Sequence, residues 1–162
     1  MTSIFARLAL AVMLALAGFS LPSLSHAAGS GDSGTTYTTS KKSDTLKKAE
    51  KAIADERFEE AYELLSAEAL RDADNADIHN LLGYSARKLG RLAESEAHYF
   101  KALSLDPKHK GALEYMGELY LTMNRPDEAL KLLERLEKIC WLGCDEEDEL
   151  RAAITKWKET NG

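Results

Sequence analysis

Residues 76–109, ADIHNLLGYSARKLGRLAESEAHYFKALSLDPKH, decide the fold. Apolar side chains recur at helical spacing through both halves of this stretch, and no β-type alternation interrupts them. The halves meet at Gly90-Arg91, where Gly90 suits the left-handed backbone that closes a helix. Asp106-Pro107 stops the second half, because proline disfavours helix in the residue before it. The stretch reads as one helical hairpin.

The same pattern returns on both sides at a fixed period of 34 residues. Ala49, Gly83 and Gly117 form one column. Arg57, Arg91 and Arg125 form a second, and Glu60, Glu94 and Glu128 a third. Ala61, Ser95 and Ala129, then Leu65, Tyr99 and Leu133, complete the set. Five columns in register define a repeat protein. Its units run over about residues 42–75, 76–109 and 110–141. Their internal breaks fall at Glu56-Arg57, Gly90-Arg91 and Asn124-Arg125-Pro126. Asn124 suits the same left-handed position as Gly90. Pro126 suits the first turn of the following helix, where its missing N–H costs nothing. The small residues Ala49, Gly83 and Gly117 let the two helices of a hairpin approach closely, with Leu65, Tyr99 and Leu133 filling the space opposite.

One hairpin cannot bury its apolar face, whereas three stacked hairpins can. Residues 145–160 add a capping helix with Leu150, Ile154 and Trp157 on one face. Its opening run Asp145-Glu146-Glu147-Asp148-Glu149 places negative charge at the positive end of the helix dipole. That run lacks the glycine turn and ligand spacing of a calcium loop. The expected fold class is all-α: an α-α superhelix, or solenoid, of three hairpins plus a C-terminal cap.

This period, with these residue types, resembles the tetratricopeptide repeat family. The middle unit carries Leu82-Gly83, Ser95, Tyr99, Ala102 and Asp106-Pro107 at the motif positions. The third keeps Met116-Gly117, Tyr120, Ala129 and Leu133 without the closing proline, and the first keeps Ala49, Ala52, Ala61 and Leu65. The family's aromatic near the start of each unit is replaced by Thr45, His79 and Leu113. The resemblance implies a concave groove, lined by the first helices of the units, that accepts a peptide or helix of a partner protein. Carried over position by position, the exposed groove face is Glu50 and Ile53 from the first unit. The second adds Asp77, Asn80, Tyr84, Arg87 and Lys88, and the third Glu114, Glu118, Leu121 and Thr122. Tyr84 is the expected anchor, since aromatics dominate binding hot spots. Arg87 and Lys88 would meet acidic groups, and Glu114 and Glu118 basic ones. Some members grip a C-terminal carboxylate with a Lys and Asn arrangement. Asn80 and Tyr84 stand at those positions here, so that activity is not expected.

The sequence before the repeats has another character. Arg7 precedes an apolar run over residues 8–19, then Pro22 and the small, polar exit Ser23-Leu24-Ser25-His26-Ala27. That order is a signal peptide, residues 1–27, with the cut expected after Ala27. The run is too short for a spanning helix, which needs roughly 20 apolar residues. Residues 28–41, rich in Gly, Ser and Thr, read as a flexible linker. A periplasmic or secreted protein is expected, with no stable membrane insertion once the signal is cut. With 21 basic against 27 acidic residues and a net charge of −6, the chain lacks the basic patch that nucleic acid requires.

Cys140 and Cys144 flank Trp141-Leu142-Gly143. In an exported protein a pair this close reads as a disulfide. Its short loop implies a stabilisation of roughly 2 kcal/mol, and it would fix the angle at which the cap leaves the stack. The alternative is a redox or copper(I) site, since soft thiolates select that ion. His79, His98 and His109 stand on different helices or a loop, without the i, i+4 pairing of a helical zinc site. Arg57, Arg91 and Arg125 read as solvated turn positions. No phosphate loop or nucleophile stands in a recognisable context. The expected function is a non-catalytic protein-interaction or scaffolding module without cofactor or metal, with a thiol-based redox or copper-handling protein as the alternative. Self-association through an exposed end of so short an array is also open.

Overall fold

The computed structural model describes residues 42–161. The expected signal peptide, 1–27, and linker, 28–41, lie outside the described residues. Among the described residues seven helices follow one another: α1 (Asp44–Ala54), α2 (Phe58–Ala69), α3 (Ala76–Lys88), α4 (Leu92–Leu105), α5 (Lys110–Thr122), α6 (Pro126–Ile139) and α7 (Asp145–Asn161). Among the described residues there is no strand. Helices α1/α2, α3/α4 and α5/α6 form the three expected hairpins, and α7 packs on both α5 and α6.

The first helix of each unit starts on a side-chain cap. The Ser43 hydroxyl accepts from the Leu46 N–H at 3.0 Å, the Asn75 amide oxygen from Ile78 at 3.3 Å and the His109 Nδ1 from Ala112 at 3.1 Å. Each satisfies a donor that the first helical turn leaves free. The turns inside the hairpins share one geometry. Glu56, Gly90 and Asn124 adopt φ of 56°, 75° and 58°, and they too are one 34-residue column. The N–H groups of Arg57, Arg91 and Arg125 then return to the carbonyls of Ala52, Ala86 and Tyr120 at 2.8–2.9 Å, the Schellman closure of a helix. Two of the three positions hold the residue types that tolerate such a backbone. Glu56 does not.

The arginine column does more than sit in solvent. Arg91 Nη2 contacts both carboxylate oxygens of Glu59 at 2.8 Å, and Arg125 Nη1 reaches Glu96 at 2.9 Å. Each pair joins a hairpin to the preceding one. The guanidinium groups also lie over Tyr62 and Tyr120, 5.3 and 4.4 Å from the ring centroids. Exposed pairs of this kind contribute roughly 0.2–1 kcal/mol each, so they adjust the stack rather than hold it.

Burial holds it. A small apolar cluster unites Leu46, Ala49, Leu65, Ile78 and Leu82 across α1–α3. A larger one runs through α4–α7 and includes Tyr99, Leu113, Met116, Leu119, Leu136 and Leu150. Tyr99 lies so close to Gly83 that a Cβ there would stand 2.6 Å from its ring, as the pairing of the two columns implies. The third unit differs from that expectation. The atoms closest to Gly117 belong to Leu150 of α7, at 2.5 Å from an added Cβ, and not to Leu133. The cap enters the space that the glycine opens.

Candidate functional site

The first helices of the second and third units and the cap enclose a groove. Arg87 comes from α3, Glu118, Leu121 and Thr122 from α5, and Ala153, Lys156, Trp157 and Thr160 from α7, around a cavity of about 360 Å³. Helical spacing explains the lining: Glu118, Leu121 and Thr122 share one side of α5, and Ala153, Lys156, Trp157 and Thr160 one side of α7. Across the floor Arg87 Nη2 meets a Glu118 carboxylate oxygen at 2.6 Å. The Arg87 Nε is buried without a partner among the described residues. Lys156 is exposed at the mouth, and half-buried Trp157 closes one wall.

Beside the groove runs a row of rings. Tyr84 lies 5.0 Å from Tyr115 and 6.1 Å from Phe58, centroid to centroid. The Arg87 and Lys88 cations stand 5.5 and 5.7 Å from the Tyr84 ring, a favourable placement over a π face. The expected anchor is therefore half-buried, its ring already engaged by neighbours on its own surface.

Of the residues expected on an exposed groove face, Asp77, Lys88 and Thr122 are exposed, and Glu50, Ile53, Tyr84, Arg87 and Glu118 are half-buried. Asn80, Glu114 and Leu121 are buried, at 7%, 3% and 8% exposure, which corrects the expectation. The start of α5 covers Asn80: its Nδ2 would lie 3.4 Å from a Cβ on Gly111. Helix α7, packed on α5, brings Glu149 close to Glu114. Burial first, then Glu149 and the nearby Glu118 and Glu146, pushes the Glu114 carboxyl up to about 9. It is a neutral acid at neutral pH and offers no charge to a basic partner. Arg87 and Glu118, expected to meet separate partner groups, meet each other.

Sequence reasoning placed Trp157 on the packing face of the cap and gave Lys156 and Ala153 no role in the groove. Nothing in the 34-residue period extends into α7, so only its packing across α5 could reveal them. The histidines are also less scattered than expected. His79 and His98 approach to 3.4 Å, Nδ1 to Nδ1, while Tyr62 Oη stands 3.2 Å from His98 Nε2 and donates to Glu94 at 2.6 Å. Burial, and then His79, lower the His98 pKa against the opposing pull of Glu94. His109 caps α5 and lies 3.0 Å from Asp77.

Cys140 and Cys144 are joined as a disulfide, their sulfurs 2.14 Å apart. Together with Glu147 they are the one group of three metal-ligand types gathered closely enough for an ion among the described residues. With the sulfurs bonded to each other, no thiolate pair is presented to copper(I).

The family model described as tetratricopeptide repeat matches residues 86–139. No curated protein matches the sequence. Among solved structures, the Arabidopsis OM64 TPR domain superposes with a TM-score of 0.64 and 15% identity, over 72% of this chain and 93% of that one. The second TPR domain of human RPAP3, solved in complex with the HSP70 peptide SGPTIEEVD, gives 0.62 and 18%, over 70% and 92%. The Yersinia enterocolitica type III secretion translocator chaperone SycD gives 0.61 and 20%, over 73% and 92%. At these identities the likeness concerns the fold. Together with the repeat columns and the family-model match over residues 86–139, it shows that this chain has the tetratricopeptide-repeat fold.

Proposed function

We propose that the chain is a non-catalytic protein-interaction module of the periplasm or cell envelope that holds a segment of a partner protein in the α3–α5–α7 groove. The observation that carries this reading is the groove's mixed chemistry. Leu121, Ala153 and Trp157 supply apolar contact, while Arg87, Glu118 and Lys156 supply a few oriented polar groups around about 360 Å³. Such a combination suits a bound side chain and its backbone. Because Glu118 already pairs with Arg87, the uncommitted charge at the mouth is Lys156. The segment that fits best places an apolar side chain against Trp157 and a carboxylate near Lys156. The RPAP3 domain with a bound HSP70 peptide supports the choice of a peptide ligand. Export rests on Arg7, the apolar run over residues 8–19 and the Ser25-His26-Ala27 exit. A disulfide agrees with it, because such bonds persist in oxidising compartments.

The thiol alternative requires the Cys140–Cys144 bond to open beside the Glu147 carboxylate. A crosslinking pull-down from envelope extract separates the two readings, with the chain from Ala28 onward as bait. A protein captured by the native form and lost with both Trp157→Ala and Lys156→Glu, but kept with Cys140→Ser/Cys144→Ser, supports the groove. Equal capture by native and groove variants sinks it. Loss with the cysteine variant alone moves the function to the thiols.

A further inference from the structure

Trp141 and Leu142 are 82% and 80% exposed, next to one another. Two large apolar side chains left together in water are unusual on a protein that stays alone. Their loop is also held in place. The Cys140–Cys144 bond spans it, the Gly143 N–H donates to the Cys140 carbonyl at 2.6 Å, and Gly143 takes the φ of 85° that completes the turn. Helices α6 and α7 abut it on either side. A tip so constrained needs little ordering on contact, and tryptophan is the residue most enriched at interface hot spots.

The same chain carries a cavity of matching character. Between α4, α5 and α6 lies a space of about 380 Å³ walled by Phe100, Leu103, Met116, Tyr120 and Leu132. Phe100, at 55% exposure, stands open at its side. The size suits an indole with a neighbouring aliphatic chain. Charge agrees too: Lys131 and Arg135 border the cavity, with Glu128 as the one opposing acid. The Trp141-Leu142 tip is followed at once by Asp145, Glu146, Glu147 and Asp148. The same acidic run argues against anionic lipid, which attracts basic segments.

We propose that Trp141 and Leu142 form a docking knob whose receptor is the α4–α5–α6 cavity of a second copy of this chain. Knob and cavity are different surfaces, so each joined copy retains one free knob and one free cavity. The contact is then head-to-tail and extends unless the arrangement closes. It does not depend on the groove reading, because the two sites share no residue.

Sedimentation velocity of the chain from Ala28 onward, over a wide concentration range, tests this. Native protein should associate with rising concentration. Trp141→Ser/Leu142→Ser removes the knob, and Phe100→Ser/Lys131→Glu spoils the cavity. Each should weaken self-association at least about tenfold, with helical circular dichroism and melting unchanged because the altered side chains are exposed. The decisive arm mixes the two variants: one intact knob then meets one intact cavity, and a heterodimer that cannot extend should appear. A native protein that stays monomeric throughout overturns the proposal. So does association that survives loss of the knob, or a mixture that yields no heterodimer. Trp141-dependent binding to phosphatidylcholine–phosphatidylglycerol vesicles without self-association would assign the knob to a lipid surface instead.

Discussion

Replacing Glu114 by glutamine should remove a loss of stability that the native chain suffers as pH rises. Glu114 as a residue is 3% exposed, and burial with Glu149 beside it pushes its carboxyl up to about 9, against 4.5 for a free glutamate. In the unfolded chain it ionises near 4.5, whereas in the folded chain it keeps its proton to about 9. Between those values the folded state binds more protons, so stability is complete below the lower one and is lost as pH rises toward the upper. The slope from one group cannot exceed about 1.4 kcal/mol per pH unit, which caps its share at about 3 kcal/mol from pH 6 to pH 8. Glutamine has nearly the same shape, can donate to Glu149 and has no proton to lose. Glu114→Gln should match the native chain near pH 5 and exceed it by about 1–3 kcal/mol near pH 8. Urea unfolding followed by helical circular dichroism at several pH values reads the difference directly. Parallel stability curves for the two proteins, or a variant weaker at the alkaline end, would refute the account of Glu114 as a buried neutral acid.

Two further substitutions probe the repeat itself. Glu56 holds φ of 56° where its equivalents are Gly90 and Asn124; Glu56→Gly should raise unfolding free energy by about 0.5–1 kcal/mol, the left-handed strain outweighing the added chain entropy, and a urea midpoint that falls would contradict this. Gly83→Ala puts a Cβ 2.6 Å from the fully buried Tyr99 ring and should cost about 1–3 kcal/mol by overpacking, with thermal melting as the measure and an unchanged midpoint as the contrary result.

The helices, their turns and the cap were legible because the signals are local. A 34-residue period, the Gly90 and Asn124 turns, Pro126 and the Asp106-Pro107 stop mark the breaks without knowledge of the whole. Ion pairs between units were not legible. Arg91 and Arg125 choose Glu59 and Glu96, which lie 32 and 29 residues earlier and belong to no common column. The candidate site was half legible for a similar reason. Of the residues named from repeat positions, Arg87, Glu118, Leu121 and Thr122 border the cavity beside α7. How deeply each is covered depends on where α7 lies. That buries Glu114, and brings in Trp157 and Lys156.

The core is not shared evenly along the array. The first hairpin rests on the smaller apolar cluster, and the third with its cap on the larger. In a linear stack each unit answers only to its neighbours, and segments with fewer buried apolar contacts open at lower free energy. The α1–α2 hairpin therefore breathes first, and its amide protons trade with solvent ahead of those in α5 and α6. Seven of the eight groove residues stand on α5 and α7, in the half that stays shut during those excursions. The proposed groove thus keeps its shape while the far end of the molecule comes and goes.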